Sequence, residues 1–346
     1  MLASFLLMKR FILLMSIVVF LLSCSQGGTT TVVTKFPVQG ELTAKSHPVS
    51  IPFLLPRYMG VWDHHLFVYK EREDTLFSVF RLPDLSPVGN IGIRGSGPDD
   101  FNMLDTRSFH ASSCGTFAVV EAGSNLLKTV KLDGNQLQVI KREQVLEGGM
   151  ANNGFYPLAD SVCLTLGRLE GKTEFCLLDR RNGQVTEIGA YPDWEPNLVG
   201  PDRPPLFVPY LKTCVARPDG RRFAAFYSRF KRFRIYDNKA KLLHDVDVRV
   251  DPCYTDFEGP VTQQPVYYIG QPYATDHYIY ALCGNQHTGK EERCELHVWD
   301  WEGNAVACYR LDRPVILLTV SMETGKMYAI ERQQADELYV YDLPIK

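Results

Sequence analysis

The sequence lacks the short motifs that mark several common kinds of enzyme site. The 346 residues contain no complete Gly-x-x-x-x-Gly-Lys-Ser/Thr, His-Glu-x-x-His, Gly-x-Ser-x-Gly or Cys-x-x-Cys pattern. These absences exclude a Walker phosphate loop, a zincin-type metal centre, a hydrolase nucleophile elbow and a thioredoxin-like redox site. Asp and Glu residues are plentiful, but no two of them stand out as a general acid and its paired base.

The chain also lacks an excess of positive charge. It has 37 Lys and Arg residues against 40 Asp and Glu residues, which gives a formal net charge of −3. Proteins that bind nucleic acids usually carry a basic surplus, so no nucleic-acid partner is expected. Apolar residues make up 45% of the chain, which is enough for a sizeable core. The 17 Tyr and 19 Phe residues among them favour β-strands.

Only one long apolar run is present, and it lies near the N-terminus. Lys9 and Arg10 precede residues 11–22, which are apolar apart from Ser16. As a helix this run would be about 18 Å long, too short for a hydrocarbon core of about 30 Å. A basic start followed by a short apolar run predicts a secretory signal peptide. The sequence leaves open whether translation starts at Met1 or at Met8.

The end of this run resembles a bacterial lipobox, in which a small residue precedes a cysteine. The resemblance is carried by Leu21-Leu22-Ser23-Cys24. It implies that residues 1–24 hold a lipoprotein signal peptide and that Cys24 is linked to diacylglycerol. The protein would then be exported and held by lipid in the cell envelope, on the outer membrane and facing the periplasm. Residues 25–44 begin with a Gly- and Thr-rich stretch and are predicted to be a flexible tether.

Eight further cysteines are widely spaced, which supports neither a zinc knuckle nor a redox motif. Two interpretations stay open for them. Cys163 could pair with Cys176, and Cys283 with Cys294, across hairpins of an exported protein. Alternatively, most of the cysteines are small buried core residues.

The rest of the chain repeats one pattern of two strands six times. One strand of each pair alternates apolar and polar residues and ends at Asp, Gly or Pro; the runs are 76–84, 126–134, 175–183, 233–241, 296–303 and 338–344. The other strand follows a small turn just upstream; the runs are 64–70, 114–122, 160–168, 219–228, 276–284 and 324–332. A spacing of about 42 to 63 residues is typical of propeller blades.

The repeats predict an all-β fold, a six-bladed β-propeller over residues 45–346 with four-stranded antiparallel blades. No helical periodicity of any length interrupts them. A single blade cannot bury both faces of its sheet, so the ring must close. The strand-like segment 47–56 is expected to complete the last blade, so that both ends of the chain close the ring.

Residues 89–132 resemble an NHL-type propeller repeat. Gly95-x-Gly97-Pro98-x-x-Phe101, behind a lipobox, is especially similar to TolB-like six-bladed propeller lipoproteins. This resemblance implies a connector between two blades. We expect Gly95 and Gly97 to take positive φ angles and Phe101 to wedge between adjacent sheets.

Asp99 and Asp100 follow the glycines of this connector and would repel a phosphate. Contact with a ligand or a bound calcium ion through one of these two carboxylates stays an alternative to a purely structural connector. No other cofactor is expected.

Four residues are candidates for ligand contact at the rim or channel. His110 lies near the start of an inner strand, where side chains face the central channel. Residues 194–209 contain five prolines and predict an extended loop in which Trp194, Arg203 and Phe207 could stack on a sugar or a peptide. The alternative for all four is ordinary packing. The basic-aromatic run 229–234 is interpreted as an exposed strand, with an anionic partner as the second interpretation.

These observations favour a lipid-anchored envelope protein that binds a ligand or a partner protein and has no catalytic activity. An envelope protein, a peptide or a glycan would be the partner, and the rim loops and the channel mouth would form the site. The alternative is a metal-dependent propeller enzyme, similar to lactonases or lyases, acting at the central channel. A third hypothesis is a structural subunit of an envelope complex.

Overall fold

The computed structural model describes residues 28–112, 115–145, 154–167, 171–195, 204–254, 263–290, 292–331 and 336–344. These residues form 26 β-strands in six sheets. None of the described residues lies in a helix long and apolar enough to cross a membrane. Cys24, the residues before it that were predicted to be a signal peptide and Arg203 lie outside the described residues.

Three strands near the N-terminus precede the first complete blade: β1 (Thr29–Val33), β2 (Val38–Leu42) and β3 (Lys45–Pro48). Each of the following blades is named by its strands in chain order. Blade 1 has β4 (Pro56–Trp62), β5 (His65–Lys70), β6 (Thr75–Arg81) and β7 (Ser86–Ile93), and blade 2 has β8 (His110–Ala111), β9 (Thr116–Glu121), β10 (Leu126–Asp133) and β11 (Gln136–Gln144). Blade 3 has β12 (Tyr156–Pro157), β13 (Val162–Leu166), β14 (Thr173–Asp179) and β15 (Gln184–Ala190), and blade 4 has β16 (Lys212–Ala216), β17 (Arg222–Tyr227), β18 (Arg232–Asp237) and β19 (Leu242–Val248).

The last two blades complete the ring. Blade 5 has β20 (Val266–Ala274), β21 (Tyr278–Gln286), β22 (Glu295–Asp300) and β23 (Ala305–Leu311), and blade 6 has β24 (Val315–Ser321), β25 (Lys326–Glu331) and β26 (Glu337–Asp342), with β3 as its outer strand. The predicted six-bladed, all-β propeller is therefore confirmed. Within each blade the four strands are antiparallel neighbours in chain order, and only β3 comes from elsewhere in the chain.

The second and third strands of each blade are the most deeply buried. In β5 and β17, for example, every residue after the first is buried. A propeller sheet is covered on both faces by the neighbouring blades, so its middle strands carry apolar residues in nearly continuous runs. The largest apolar clusters accordingly lie between blades, such as the one formed by blades 4 and 5.

The ring closes through the N-terminal segment, as predicted. β3 pairs antiparallel with β26, with Lys45 opposite Val340 and Pro48 opposite Glu337. The closing strand is Lys45–Pro48, so it overlaps only the start of the predicted segment 47–56. A strand supplied by one end of the chain to a sheet made by the other end ties the two ends together.

The prediction of a flexible tether over residues 25–44 is wrong for most of that segment. β1 pairs in parallel with β19 at the outer edge of blade 4, and β2 pairs in parallel with β23 at the outer edge of blade 5. Between them Phe36 is 3% exposed, and its ring centroid lies 4.9 Å from that of Trp299. The segment resembles a linker in composition, but it is held by hydrogen bonds to the open edges of β19 and β23 and by the buried ring of Phe36.

The ends of the strands define two faces of the ring. The turns between first and second strands and between third and fourth strands lie on what we name the lower face. The turns between second and third strands and the connectors between blades lie on the upper face. β1 begins at the lower face, since Thr29 lies opposite His244 near the start of β19.

Candidate ligand-binding groove

A groove of about 690 Å³ opens on the upper face between blades 5 and 6. One wall is the end of β2 and the end of β23, and another is the start of β24. Its apolar lining is aliphatic, and none of its described lining residues is aromatic: Leu42, Ile269, Leu311, Pro314, Val315 and Ile316. Its charged lining residues are Glu41, Glu292, Arg293, Arg310, Asp312 and Arg313. A volume of this size is ordinary for a ligand site.

A second pocket, of about 520 Å³, lies next to the groove on the blade 4 side. Lys290, Arg293 and Arg310 line it, against the single carboxylate of Asp251; the other lining residues are Pro252, Cys253 and Tyr254. Arg293 and Arg310 line both cavities. The two cavities therefore form one site, which we name the upper groove, with a cationic end and a mixed end.

Arg293 is held in place by a buried carboxylate beneath the groove. Its Nε lies 3.0 Å from Oε1 of Glu295, which is 2% exposed. The other carboxylate oxygen, Oε2, accepts hydrogen bonds from Asn285 at 2.9 Å and from His297 Nε2 at 3.1 Å. Lys231 Nζ approaches the same oxygen to 3.9 Å. A charge-assisted pair with this many supports fixes the direction of the guanidinium.

The protonation states of this network follow from its surroundings. Burial raises the pKa of Glu295, but the hydrogen bond from His297 and the nearby charge of Lys231 outweigh it and hold that pKa below its usual range. Burial lowers the pKa of His297. The neutral tautomer with its proton on Nε2 satisfies both ring nitrogens, because Nδ1 lies 3.3 Å from the Tyr268 hydroxyl.

Three of these buried residues could in principle ligate a metal. The ligand atoms of Cys283, Glu295 and His297 all lie within 4.8 Å of one another. The arrangement does not fit a cation, because the Lys231 ammonium already faces Glu295 and both nitrogens of His297 have hydrogen-bond partners. Burial also raises the pKa of the Cys283 thiol, which keeps its proton in place. The cluster is therefore a hydrogen-bonded support for Arg293.

Arg310 contrasts with Arg293. It is exposed, and among the described residues its guanidinium has no ion pair or hydrogen bond. The third arginine, Arg313, lies over the ring of Tyr339 at 5.2 Å. Asp312 is engaged by the Tyr341 hydroxyl at 3.1 Å and by the backbone of Ala44. Arg310 thus has donors available to a ligand and, unlike Arg293 and Arg313, is held by no ion pair or aromatic ring among the described residues.

The predicted connector lies between blades 1 and 2, and its glycines act differently from the prediction. Neither Gly95 nor Gly97 has a positive φ angle, so that expectation is wrong. A Cβ at either position would meet the Asp100 carboxylate, at 2.3 Å and 2.7 Å respectively. The Gly97 N–H donates to Asp100 Oδ2 at 2.7 Å. Only glycine fits at these two positions, because the loop folds closely around the Asp100 carboxylate.

The other residues of the connector also serve its packing. Phe101 is fully buried in a cluster of blades 1 and 2, with its ring 5.9 Å from that of Phe77. Pro98 lies in the turn that leads to it. Asp99 Oδ1 accepts the N–H of Val139 at 2.8 Å. One oxygen of each aspartate therefore accepts a backbone N–H, which gives both carboxylates a structural role in the connector.

Trp194 is engaged within the protein. Its indole N–H donates to Asp245 at 3.2 Å, and the guanidinium carbons of Arg232 and Arg234 lie over its ring at 4.1 Å and 4.8 Å. Both arginines also pair with Asp245 at 2.8 Å. Phe207, in the same connector, is half-buried.

The structure also corrects the interpretation of residues 229–234 as an exposed strand. Lys231 and Phe233 are buried, and Lys231 donates to the carbonyls of Val250 and Pro252 at 2.9 Å and 3.0 Å. The cationic groups of this run face internal partners, so it offers no free basic surface.

His110 lies at the start of β8, the inner strand of blade 2. Its Nδ1 lies 2.8 Å from the carbonyl oxygen of Ser108, and burial lowers its pKa. A neutral histidine bonded to its own loop is a packing element. His110 belongs to blade 2 and Trp194 to the connector before blade 4, so neither lies in the upper groove.

No disulfide joins any two of the described cysteines. Cys283 lies opposite Glu295, so it does not face Cys294, and Cys163 lies opposite Leu178. The hairpin pairs considered from the sequence are therefore wrong. The second interpretation, that most cysteines are buried, fits Cys163, Cys176, Cys214 and Cys283.

The residues of the upper groove escaped the sequence analysis because they come from separate segments. One signal was present: the upper hairpin of blade 5, residues 287–294, is longer than those of blades 1, 2 and 4. Its sequence, HTGKEERC, brings Lys290 and Arg293 to the upper face. Hairpin length among repeats is thus a pointer to a site that residue types alone do not show.

Comparison with known proteins supports the fold and leaves the family open. No family model matches the chain, and no curated protein matches it. A solved member of the DUF4221 family from Bacteroides vulgatus is similar in structure, with a TM-score of 0.57 and 12% identity over 87% of this chain and 97% of that one. The "Putative exported protein" of Bacteroides fragilis has a TM-score of 0.54 and 10% identity over 90% of this chain and 99% of that one. At such identities the likeness establishes the propeller fold alone.

Proposed function

We propose that this protein is an exported, lipid-anchored envelope protein whose upper groove binds a peptide segment of a partner. The observation that carries the proposal is the position of Arg310. Its exposed guanidinium, without an ion pair or hydrogen bond in the described residues, lies where the two cavities meet. A ligand carboxylate at this point would also meet Arg293 and Lys290.

The lining favours a peptide over a glycan. The mixed end of the groove offers aliphatic side chains, which suit Leu, Ile or Val of a partner. Sugar rings usually stack on aromatic faces, and the described lining of that end has none. A segment with a carboxylate followed by aliphatic residues would place its charge at the arginines and its apolar side chains in the groove.

Export and the lipid anchor rest on the lipobox at Cys24. The likeness to a Bacteroides protein named as exported agrees with export and says nothing about a lipid. A placement on the outer membrane, facing the periplasm, is part of the proposal. Replacement of Cys24 by Ala should remove the acyl mass from the purified protein; an unchanged mass would rule out this anchor.

The binding proposal is tested with two defined peptide mixtures. One is a set of hexapeptides, acetylated and amidated at their ends, with a fixed central Glu and Leu, Ile or Val at the other positions, and its matched set has Gln in place of Glu. Full-length protein in detergent should show a higher melting temperature with the Glu set, because a ligand that binds only the folded state stabilises it. An equal shift with the Gln set, or a shift only with tetragalacturonate, would contradict a carboxylate-bearing peptide as the ligand.

A further inference from the structure

We infer that the lower face of blade 4 docks on an anionic phospholipid surface beside the lipid anchor. This inference rests on the lipidation of Cys24 in the proposed function. It adds an orientation: the lower face of blade 4 would lie on the bilayer, and the upper groove of blades 5 and 6 would face away from it.

The described residue nearest to Cys24 in the sequence lies at the lower face of blade 4. Gly28 lies beside β19, and a Cβ on it would come within 2.8 Å of the Leu243 carbonyl oxygen. β1 then runs in parallel with β19 from the lower face upward. Three residues separate Gly28 from Cys24, so the two Cα atoms can be at most about 14 Å apart. A lipid on Cys24 must therefore enter the membrane close to the lower turns of blade 4.

The lower turns of blade 4 carry an excess of positive charge. The lower turns of blade 4, residues 216–222 and 237–242, carry five cations and two carboxylates. The cations are Arg217, Arg221, Arg222, Lys239 and Lys241, and the carboxylates are Asp219 and Asp237. Among the described residues, the matching turns of the other five blades have no excess of cations. The basic blade is therefore the one from which the anchor leaves.

Three of these five cations are available to a membrane surface. Arg222 pairs with Glu302 at 2.6 Å and Arg217 with Asp219 at 3.8 Å. Arg221, Lys239 and Lys241 are exposed, and their side chains have no hydrogen bond or ion pair with any described residue. Because Asp237 accepts the backbone N–H groups of Lys239 and Lys241, the turn that presents both lysines is fixed.

The lipid anchor and the exposed cations of blade 4 strengthen each other in membrane binding. Attraction between exposed cations and anionic lipids falls off within a Debye length, about 8 Å at physiological ionic strength. A lipid anchor keeps the three cations within that range, and each basic residue near the surface adds about fivefold to membrane partitioning. Acyl chains with a basic patch form a two-part anchor.

The test compares amide hydrogen exchange of acylated full-length protein on two kinds of vesicle. One kind contains phosphatidylethanolamine and phosphatidylglycerol, and the other contains only phosphatidylcholine. We expect exchange in residues 216–222 and 237–242 to slow severalfold on the anionic vesicles alone, while residues 300–305 of blade 5 remain unchanged. The variant Arg221→Gln/Lys239→Gln/Lys241→Gln should lose this protection.

A matched variant controls for net charge. Lys131→Gln/Arg142→Gln/Lys172→Gln removes three exposed cations from blades 2 and 3 and should keep the protection. Equal protection on both kinds of vesicle, protection of residues 287–294 instead, or loss of protection in this control would each overturn the docking surface.

Intact mass measured beforehand separates this inference from the proposed function. A protein without acyl mass would show that the proposed anchor is wrong. Absent protection in an acylated protein would show that only the docking surface is wrong.

Discussion

The guanidinium of Arg293 and the carboxylate of Glu295 form a 3.0 Å ion pair that links the surface of the upper groove to the interior of the protein. Arg293 is half-exposed, whereas Glu295 is buried between blades 4 and 5 with Asn285, His297 and Lys231 around it. The pair makes Arg293 a fixed donor, in contrast to Arg310.

Replacement of Glu295 by Gln should weaken both stability and ligand binding. The change leaves the Lys231 ammonium and the Arg293 guanidinium without their buried counter-charge, and removing one partner of a buried pair costs about 3–5 kcal/mol. Urea unfolding of the variant at pH 7 measures the effect. A loss below about 1 kcal/mol would contradict the role given to this carboxylate.

Acidification should reduce stability through His297. Burial lowers its pKa in the folded protein, so the unfolded chain, with a histidine pKa of about 6.5, takes up the proton first. The stabilisation is complete above about pH 6.5 and falls as the pH drops through the lower folded pKa. Glu295, whose folded pKa is also lowered, adds a further loss at more acidic pH.

The variant His297→Gln tests that assignment, because glutamine keeps hydrogen-bonding groups but does not titrate in this range. Its unfolding free energy should change less than that of the parent between about pH 7 and about pH 5.5. The pH slope of His110→Gln is measured beside it, because burial lowers the pKa of His110 as well and this histidine contributes to the slope of the parent in the same direction. An unaltered pH slope in His297→Gln would show that His297 does not contribute.

Phe101 should be among the most costly residues to truncate. It is fully buried between blades 1 and 2, so Phe101→Ala should lower the free energy of unfolding by about 3–5 kcal/mol. Leu54→Ala is the control, because Leu54 is 55% exposed and should cost little. Denaturant unfolding of both variants checks the difference, and similar losses would contradict the connector's packing role.

Truncation of Phe36 should loosen the attachment of residues 28–44 to the propeller. Phe36 lies between β1 and β2, packs on Trp299 and has its ring centroid 4.8 Å from that of His297, so Phe36→Ala removes this packing of the segment on blade 5. We expect faster cleavage of residues 28–44 by a dilute protease than in the parent protein. Val38→Ala, at a 48% exposed position, should leave that rate unchanged.

The sequence was informative where burial imposes a pattern. All twelve predicted runs match the second and third strands of the six blades, because both faces of those strands are covered and their apolar residues recur. β1 and β2 were mistaken for a tether because they lie at the outer edges of blades 4 and 5. Apart from Val33 their described side chains are at least partly exposed, so hydrogen bonds rather than apolar periodicity place them.

The upper groove could not be predicted from the sequence, because its residues come together only in the folded sheet. Nothing in the sequence distinguishes Arg293 and Arg310 from the other arginines, and only the antiparallel pairing of β22 with β23 sets Arg310 opposite Glu295. Trp194 was conspicuous in the sequence, yet its ring is covered by two arginines. Residue type alone does not distinguish an available side chain from one engaged within the protein.

The central claim is that Arg310 receives the carboxylate of a peptide. The direct test is the dissociation constant of the tightest Glu-containing hexapeptide for the parent protein, for Arg310→Gln and for Arg142→Gln, an exposed arginine of blade 2 that has no partner among the described residues. Loss of a hydrogen bond to a charged group costs about 1.5–3 kcal/mol, so Arg310→Gln should weaken binding by about tenfold or more. Arg142→Gln should bind like the parent. Equal affinities for all three proteins would contradict the account.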